Sequence, residues 1–250
     1  MSVRKRLITV LTFNNGILFR TKEFHPDYRY TLNFVDAWSV DEIVLLDITR
    51  RGEGERRNFY EVVETFASRC FVPLAVGGYV TTVDDFKKLL SIGADKVIVN
   101  TEAMRRPEFI TEAARLYGAQ CVVVSVDAVK RADREYEVVI DRGTEPTGVS
   151  PHEWAAIAEK RGAGEIMIQS VELDGSLNGY DNELNRSMAD AISVPLLVNT
   201  GAGNWSHFAA GFNEGGAAAV CTSNIYHFTE SSVRSAKRYL ARAGIAVRTE

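Results

Sequence analysis

The sequence predicts a single α/β domain over residues 1–250, a (β/α)8 TIM barrel with an internal half-barrel repeat. Three observations predict it. The first is the repeat. From Phe71 to Thr101 an apolar run ends in Gly77-Gly78, an amphipathic segment follows, and after Gly93-Ala94-Asp95 a second apolar run ends at Asn100-Thr101. That is strand, glycine turn, helix and strand, a βαβ unit. Nearly the same phrase returns from Val194 to Asn224, with Pro195 in the place of Pro73 and Gly216 in that of Gly93. Self-similarity at half the chain length marks a duplicated architecture. The second observation is rhythm: eight short apolar runs, each followed by a helical pattern. The third is size. The chain has 250 residues, 46% of them hydrophobic, close to the roughly 250 typical of such a barrel, and no Pro/Gly/Ser-rich linker divides it. An open doubly wound sheet is the alternative, but two halves of four βα units each favour closure.

In order, the strands are expected near 6–13, 43–48, 72–77, 96–100, 121–127, 165–170, 194–199 and 217–222. The helices are expected near 30–39, 57–69, 82–92, 107–117, 151–161, 182–192, 205–214 and 230–242. The strands are rich in Val, Ile and Leu without clean alternation, which suits a parallel sheet covered on its faces. The fifth helix opens with Ser150-Pro151-His152-Glu153: a cap residue, a first-turn proline and an acid ahead of the periodic apolar stretch. Residues 134–148 interrupt the rhythm after the fifth strand and read as a small β excursion on the loop side.

Charge and composition exclude several classes. The net charge is −4, and no Lys/Arg cluster is interleaved with aromatics, so no nucleic-acid partner is expected. No apolar run approaches the roughly 18 residues of a membrane span. The opening MSVRKRLITVLTFNNG sets basic residues before an apolar run, but that run is short, reads as a strand and leads to no small-residue cleavage site. The cytoplasm is the expected location. Cys70, Cys121 and Cys221 lie far apart with no CxxC pattern and read as buried thiols. His25, His152, His207 and His227 form no pair with metal-ligand spacing; neither metal nor cofactor is expected.

Barrel enzymes place their chemistry where strands end and βα loops begin. Two glycine turns lie there, half a chain apart: Gly77-Gly78-Tyr79 with Asn100-Thr101, and Gly201-Ala202-Gly203 with Ser223-Asn224. Backbone N–H groups at helix starts bind anions, and Ser, Thr and Asn side chains add donors. An elongated ligand with a phosphate at each end is the expectation; glycines that only permit tight turns are the plainer alternative. Asp127 ends the fifth strand, where a carboxylate serves as general acid or base or ties down a loop. The repeat sets Thr12 opposite it, and a threonine accepts no proton at neutral pH without an activating partner. Asp47 and Asp174 are further acids near strand ends, and Asp174-Gly175 also reads as a turn.

The phrases LLDIT at 45–49, PLAVGG at 73–78, GADKVIVNT at 93–101, PTG at 146–148, GAGEI at 162–166, DG at 174–175, GYD at 179–181 and GAG at 201–203 together resemble the cyclase subunit of imidazole-glycerol-phosphate synthase, over about residues 4–248. The resemblance implies a barrel that receives ammonia from a separate glutaminase at its strand-start face and passes it along the axis. At the loop face two aspartates then work on a bisphosphorylated ribulosyl substrate. It further implies an ammonia gate of Arg6, Glu42, Lys96 and Glu165, with Asp95 docking the glutaminase. Residue parity places Arg6 with Thr12, Lys96 with Asn100, and Glu165 with Gln169 on common strand faces; Glu42 and Asp47 share one only if the strand is bulged.

At the loop face the resemblance is partial. Asp127 matches one catalytic aspartate. Asp47, Asn100, Thr101, Ser170, Asp174, Gly201 and Gly203 match substrate-binding positions. Thr12 stands for the other aspartate and Arg20 for the active-site lysine, a change that keeps charge but not geometry. Tyr79 stands for a glycine, Gln169 for a threonine, Asn199-Thr200 for Ser-Gly and Asn224 for a serine. The expectation is a paralogue that still receives ammonia but makes imidazole-glycerol phosphate poorly. Such paralogues work with a dedicated glutaminase and an ATP-using amidotransferase, turning an acylamino group of a nucleotide-linked sugar into an amidine for surface polysaccharide. A divergent histidine-pathway cyclase and a non-catalytic ammonia conduit are the alternatives. No cysteine here has a Cys–His nucleophile context, so glutamine hydrolysis requires a partner.

Overall fold

The computed structural model describes residues 4–29, 40–50, 52–132, 135–223 and 233–248. The expected helix at 30–39, Asn224, His227 and the start of the expected helix at 230–242 lie outside the described residues. The strands are β1 (Arg6–Asn14), β2 (Ile17–Lys22), β3 (His25–Arg29), β4 (Glu42–Asp47), β5 (Leu74–Gly77), β6 (Lys96–Val99), β7 (Val122–Lys130), β8 (Tyr136–Ile140), β9 (Glu145–Pro146), β10 (Glu165–Ser170), β11 (Leu196–Asn199) and β12 (Ala219–Thr222). The helices are α1 (Arg56–Arg69), α2 (Val83–Ser91), α3 (Thr101–Arg105), α4 (Glu108–Tyr117), α5 (Pro151–Arg161), α6 (Asn182–Ala191), α7 (Trp205–Asn213) and α8 (Val233–Arg242).

Eight strands, β1, β4, β5, β6, β7, β10, β11 and β12, pair in parallel in that order, and β12 pairs back to β1. The sheet is closed: a (β/α)8 barrel. Its apolar residues form two clusters. The larger lies between strands and helices. The smaller fills the interior and includes Ile8, Val10, Val44, Ala75, Ile98, Val123, Met167, Leu197, Ala219 and Cys221. Strands buried on both faces have no polar side to show, which is why alternation was absent from the sequence.

Two excursions leave the barrel on the loop side. β8 and β9 are the one expected after the fifth strand, at 134–148. The other, β2 and β3, has no counterpart among the expected elements. β2 folds back antiparallel on β1, with Thr12 opposite Phe19. Its turn is Asn15-Gly16, both with positive φ (49° and 75°), the usual Asn-Gly signal of a two-residue hairpin. A second small difference concerns α5. Pro151 takes the first helical position, but Ser150 does not cap the backbone; its hydroxyl donates to Glu153 Oε2 at 2.6 Å. The capping box belongs instead to α2, where Thr82 and Asp85 serve each other's N–H groups.

α8 is pinned to the barrel by a buried ion pair. Lys237 Nζ lies 2.6 Å from Asp41 Oδ1, and Asp41 Oδ2 accepts the Leu7 N–H at 2.8 Å. Both charged side chains are less than a tenth exposed. Removing one partner of such a pair leaves a buried charge uncompensated, at about 3–5 kcal/mol. Lys237→Met is therefore expected to lower stability by that amount in urea denaturation; a loss of only a few tenths would mean the pair contributes nothing to closure.

Candidate functional site

At the strand-start mouth, the first inward position of four strands carries a charge: Arg6 on β1, Glu42 on β4, Lys96 on β6 and Glu165 on β10. They form a closed ring. Arg6 Nη1 bonds Glu42 Oε2 at 2.7 Å and Nη2 bonds Glu165 Oε1 at 2.8 Å. Lys96 Nζ completes it, 2.9 Å from both Glu42 oxygens and 2.9 Å from Glu165 Oε2. Acids and bases alternate, so every charge has two partners. The parity question at β4 is resolved without a bulge. Its register with β1 runs unbroken from Ile8–Glu42 to Phe13–Asp47, so Glu42 and Val44 face the interior and Asp47 faces outward. Burial pushes the Glu42 carboxyl above its ordinary range, against the pull of Lys96 and Arg6. Asp95, at the same end and exposed, accepts the Leu74 N–H at 2.8 Å.

At the opposite mouth lies a cavity of about 730 Å³. Of the expected site residues, Thr12, Asp47, Gly78, Asn100, Thr101 and Asp127 line it, as do Asp174, Gly201 and Ser223. Gly77, Gly203, Ser170 and Arg20 are not among the lining residues. An apolar layer of the interior cluster separates this cavity from the ionic ring.

Asp127 is the best-defined polar group in it. The residue is 5% exposed. Gln169 Nε2 donates to its Oδ1 at 2.9 Å, Ser125 Oγ lies 3.5 Å from the same atom, and the Asn100 side chain adds a bond. Burial raises its pKa to about 6; the donations from Gln169, Asn100 and Ser125 oppose that rise, and Asp174 adds to it. A carboxylate poised there exchanges a proton near neutral pH, the property a general acid–base group needs.

The other expected acids are more constrained. Asp47 accepts from the Thr49 N–H and hydroxyl, and burial outweighs these in raising its pKa. Asp174 is likewise raised by burial, while the Phe24 N–H, 3.0 Å from its Oδ2, and the Thr21 hydroxyl hold it back. Thr12 donates its hydroxyl to the Phe19 carbonyl of the unexpected hairpin, so it holds β2 in place and takes no proton. Arg20 pairs with Asp27 across the same hairpin, and its charge opposes the rise in the Asp174 pKa. Thr101 Oγ1 accepts the Asp141 N–H at 3.0 Å.

The glycine turns are required by packing. Gly78 has φ +103°, and a Cβ there would stand 2.4 Å from the Asp47 carbonyl. At Gly201, φ +95°, it would stand 2.1 Å from the Gly179 carbonyl. Tyr79, also at positive φ, turns its hydroxyl to the Thr49 carbonyl. The Gly203 N–H is engaged by His207 Nδ1 at 3.0 Å, so this donor serves the turn itself. Ser170 exchanges bonds with Thr200: its N–H donates to Thr200 Oγ1 and its carbonyl accepts from the same hydroxyl.

Gln169, Asn199 and Ser125 were missing from the expected site. Gln169 and Asn199 stood out only as departures, yet both line the cavity and one holds Asp127. The signal that could have found them is parity: each shares the inward face with a residue already under consideration. Among the described residues no group of His, Cys, Asp and Glu is placed to hold a metal ion. The three cysteines are free; Cys221 is buried, while Cys70 and Cys121 are only partly so. No described helix is long and apolar enough to cross a membrane. A family model described as histidine biosynthesis protein matches residues 9–231, a span that runs from within β1 past β12.

Proposed function

The chain belongs to the histidine biosynthesis protein family, and from that premise we propose that it is the ammonia-receiving, synthase-type barrel subunit of a glutamine amidotransferase complex. A separate glutaminase supplies the ammonia at the strand-start mouth. The ionic ring carries this reading. Four charges, one of them a carboxylate 1% exposed, are costly to gather at a barrel end, and such rings contribute little net stability; their place at the mouth of an apolar interior suits a gate. The layer above it favours neutral ammonia over ammonium, because an unpaired charge entering it meets a large desolvation cost. Exposed Asp95 fits the docking role the family resemblance gives it.

At the cavity, Asp127 is the acid–base group, and the acceptor is a phosphorylated or nucleotide-linked sugar. An ATP-using amidotransferase transfers a phosphoryl or adenylyl group to the oxygen of the sugar's acylamino carbonyl; ammonia adds to that carbon, and the C–O bond breaks with the oxygen leaving on the transferred group, which yields the amidine. The engaged Thr12 hydroxyl supports this departure from a two-aspartate cyclase. A second reading, a divergent histidine-pathway cyclase, is favoured by one observation: Asp174 lines the same cavity as Asp127 and offers a second carboxylate. Growth of a cyclase-deficient histidine auxotroph carrying this chain separates them. No robust growth is expected; full rescue would make the chain a working cyclase and end the sugar-amidation reading.

A further inference from the structure

We propose that Gln169 is a positioning residue for Asp127 and is itself locked by Asn199, so that three adjacent strands deliver a one-way amide relay onto a single carboxylate oxygen. Gln169 is the registered neighbour of Asp127 on β7 and of Asn199 on β11. Asn199 Nδ2 lies 2.7 Å from Gln169 Oε1, and Gln169 Nε2 lies 2.9 Å from Asp127 Oδ1 and 3.2 Å from Ser125 Oγ.

Chemistry sets the direction. An ionised carboxylate only accepts hydrogen bonds, so Gln169 must turn its NH2 toward Asp127. Its carbonyl then points the other way, where only a donor satisfies it, and Asn199 is that donor. Gln169 is 9% exposed and Asp127 5%. In such surroundings each bond polarises the next, and an amide left unmatched is expensive. The relay therefore fixes the rotation of the carboxylate and favours its ionised form. Losing it shifts Asp127 toward the protonated acid that burial alone would produce.

The relay's functional meaning rests on the acid–base reading of Asp127, but its existence can be tested without any activity. The probe is an NMR titration of the Asp127 carboxyl carbon in the full chain. The groups facing this carboxylate are Asn100, Ser125 and Gln169 as donors and Asp174 as the neighbouring acid; β8 sets Val139 opposite it. In the native chain the midpoint should lie near the value of about 6. Gln169→Met should raise it by about one pH unit, and Asn199→Leu by less. The double variant should match Gln169→Met alone, because Asn199 acts only through Gln169. An unmoved midpoint in Gln169→Met, or additive shifts in the double variant, would overturn the relay. Should Gln169→Met not fold, the native chain still decides. The side-chain NH2 protons of Gln169 and Asn199 should shift with the Asp127 midpoint, and protons indifferent to it would sink the proposal. The auxotroph result is independent of all these outcomes.

Discussion

Asp127→Asn in a complex reconstituted with its glutaminase and amidotransferase is expected to lower sugar amidation by about 10²–10⁴-fold while raising the Tm of the barrel at pH 7.5. The two effects share one cause. Burial lifts the Asp127 pKa from the ordinary carboxylate range to about 6. A carboxylate whose folded pKa exceeds its unfolded value weakens the native state as pH rises from about 4, and the cost is complete above about 6. Over that interval, at about 1.4 kcal/mol per pH unit, it reaches about 3 kcal/mol. Asparagine keeps the volume and removes the charge, though it matches the three donors less well. A net gain on the order of 1–3 kcal/mol is expected, or several degrees in Tm for a chain of this size. The gain should vanish below about pH 4, where both side chains are neutral. Amidation by the native complex should rise with pH through about 6, as the base ionises. Unchanged amidation in Asp127→Asn would instead make the barrel a conduit that performs no chemistry.

Lys96→Met is expected to destabilise the barrel by about 3–5 kcal/mol at pH 8 and to break the link between glutamine hydrolysis and amidation. Lys96 holds both oxygens of Glu42 and one of Glu165. Without it, Arg6 alone faces two buried carboxylates. Glu42 is already raised by burial against two cations, so losing one raises it further. Protonation then relieves the site, and the loss of stability should shrink as pH falls toward 5. Urea denaturation at pH 5 and pH 8 reads this directly; an equal loss at both would mean that packing, not charge, was removed. In the complex, amidation fed by free ammonium should persist while the glutamine-fed reaction falls. A parallel fall in both would remove the gate from the proposal.

Much of the architecture was legible in the chain. The duplicated phrase, the glycine-ended apolar runs and the helix spacing located the described barrel strands and most described helices within a few residues, because each is a local pattern. Parity set Arg6 with Thr12 and Glu165 with Gln169 on common strand faces, since side-chain alternation in a strand is local too; the closed sheet made that face the inward one. The turn from β1 into β2 was equally local, announced by Asn15-Gly16, and went unread. That omission hid the partners of Thr12 and Arg20, the Phe19 carbonyl and Asp27.

By itself, then, the sequence determined a closed barrel of repeated βα units with an aspartate at the loop-side end of its fifth strand, while the charges at the strand starts came with the family resemblance. Only the tertiary structure decided that the charges at the strand starts form one alternating ring and that Gln169 joins Asp127 to Asn199. The reason is register. These groups are 30 or more residues apart, and whether they meet depends on how neighbouring strands slide past one another when the sheet closes, a displacement that no local pattern encodes.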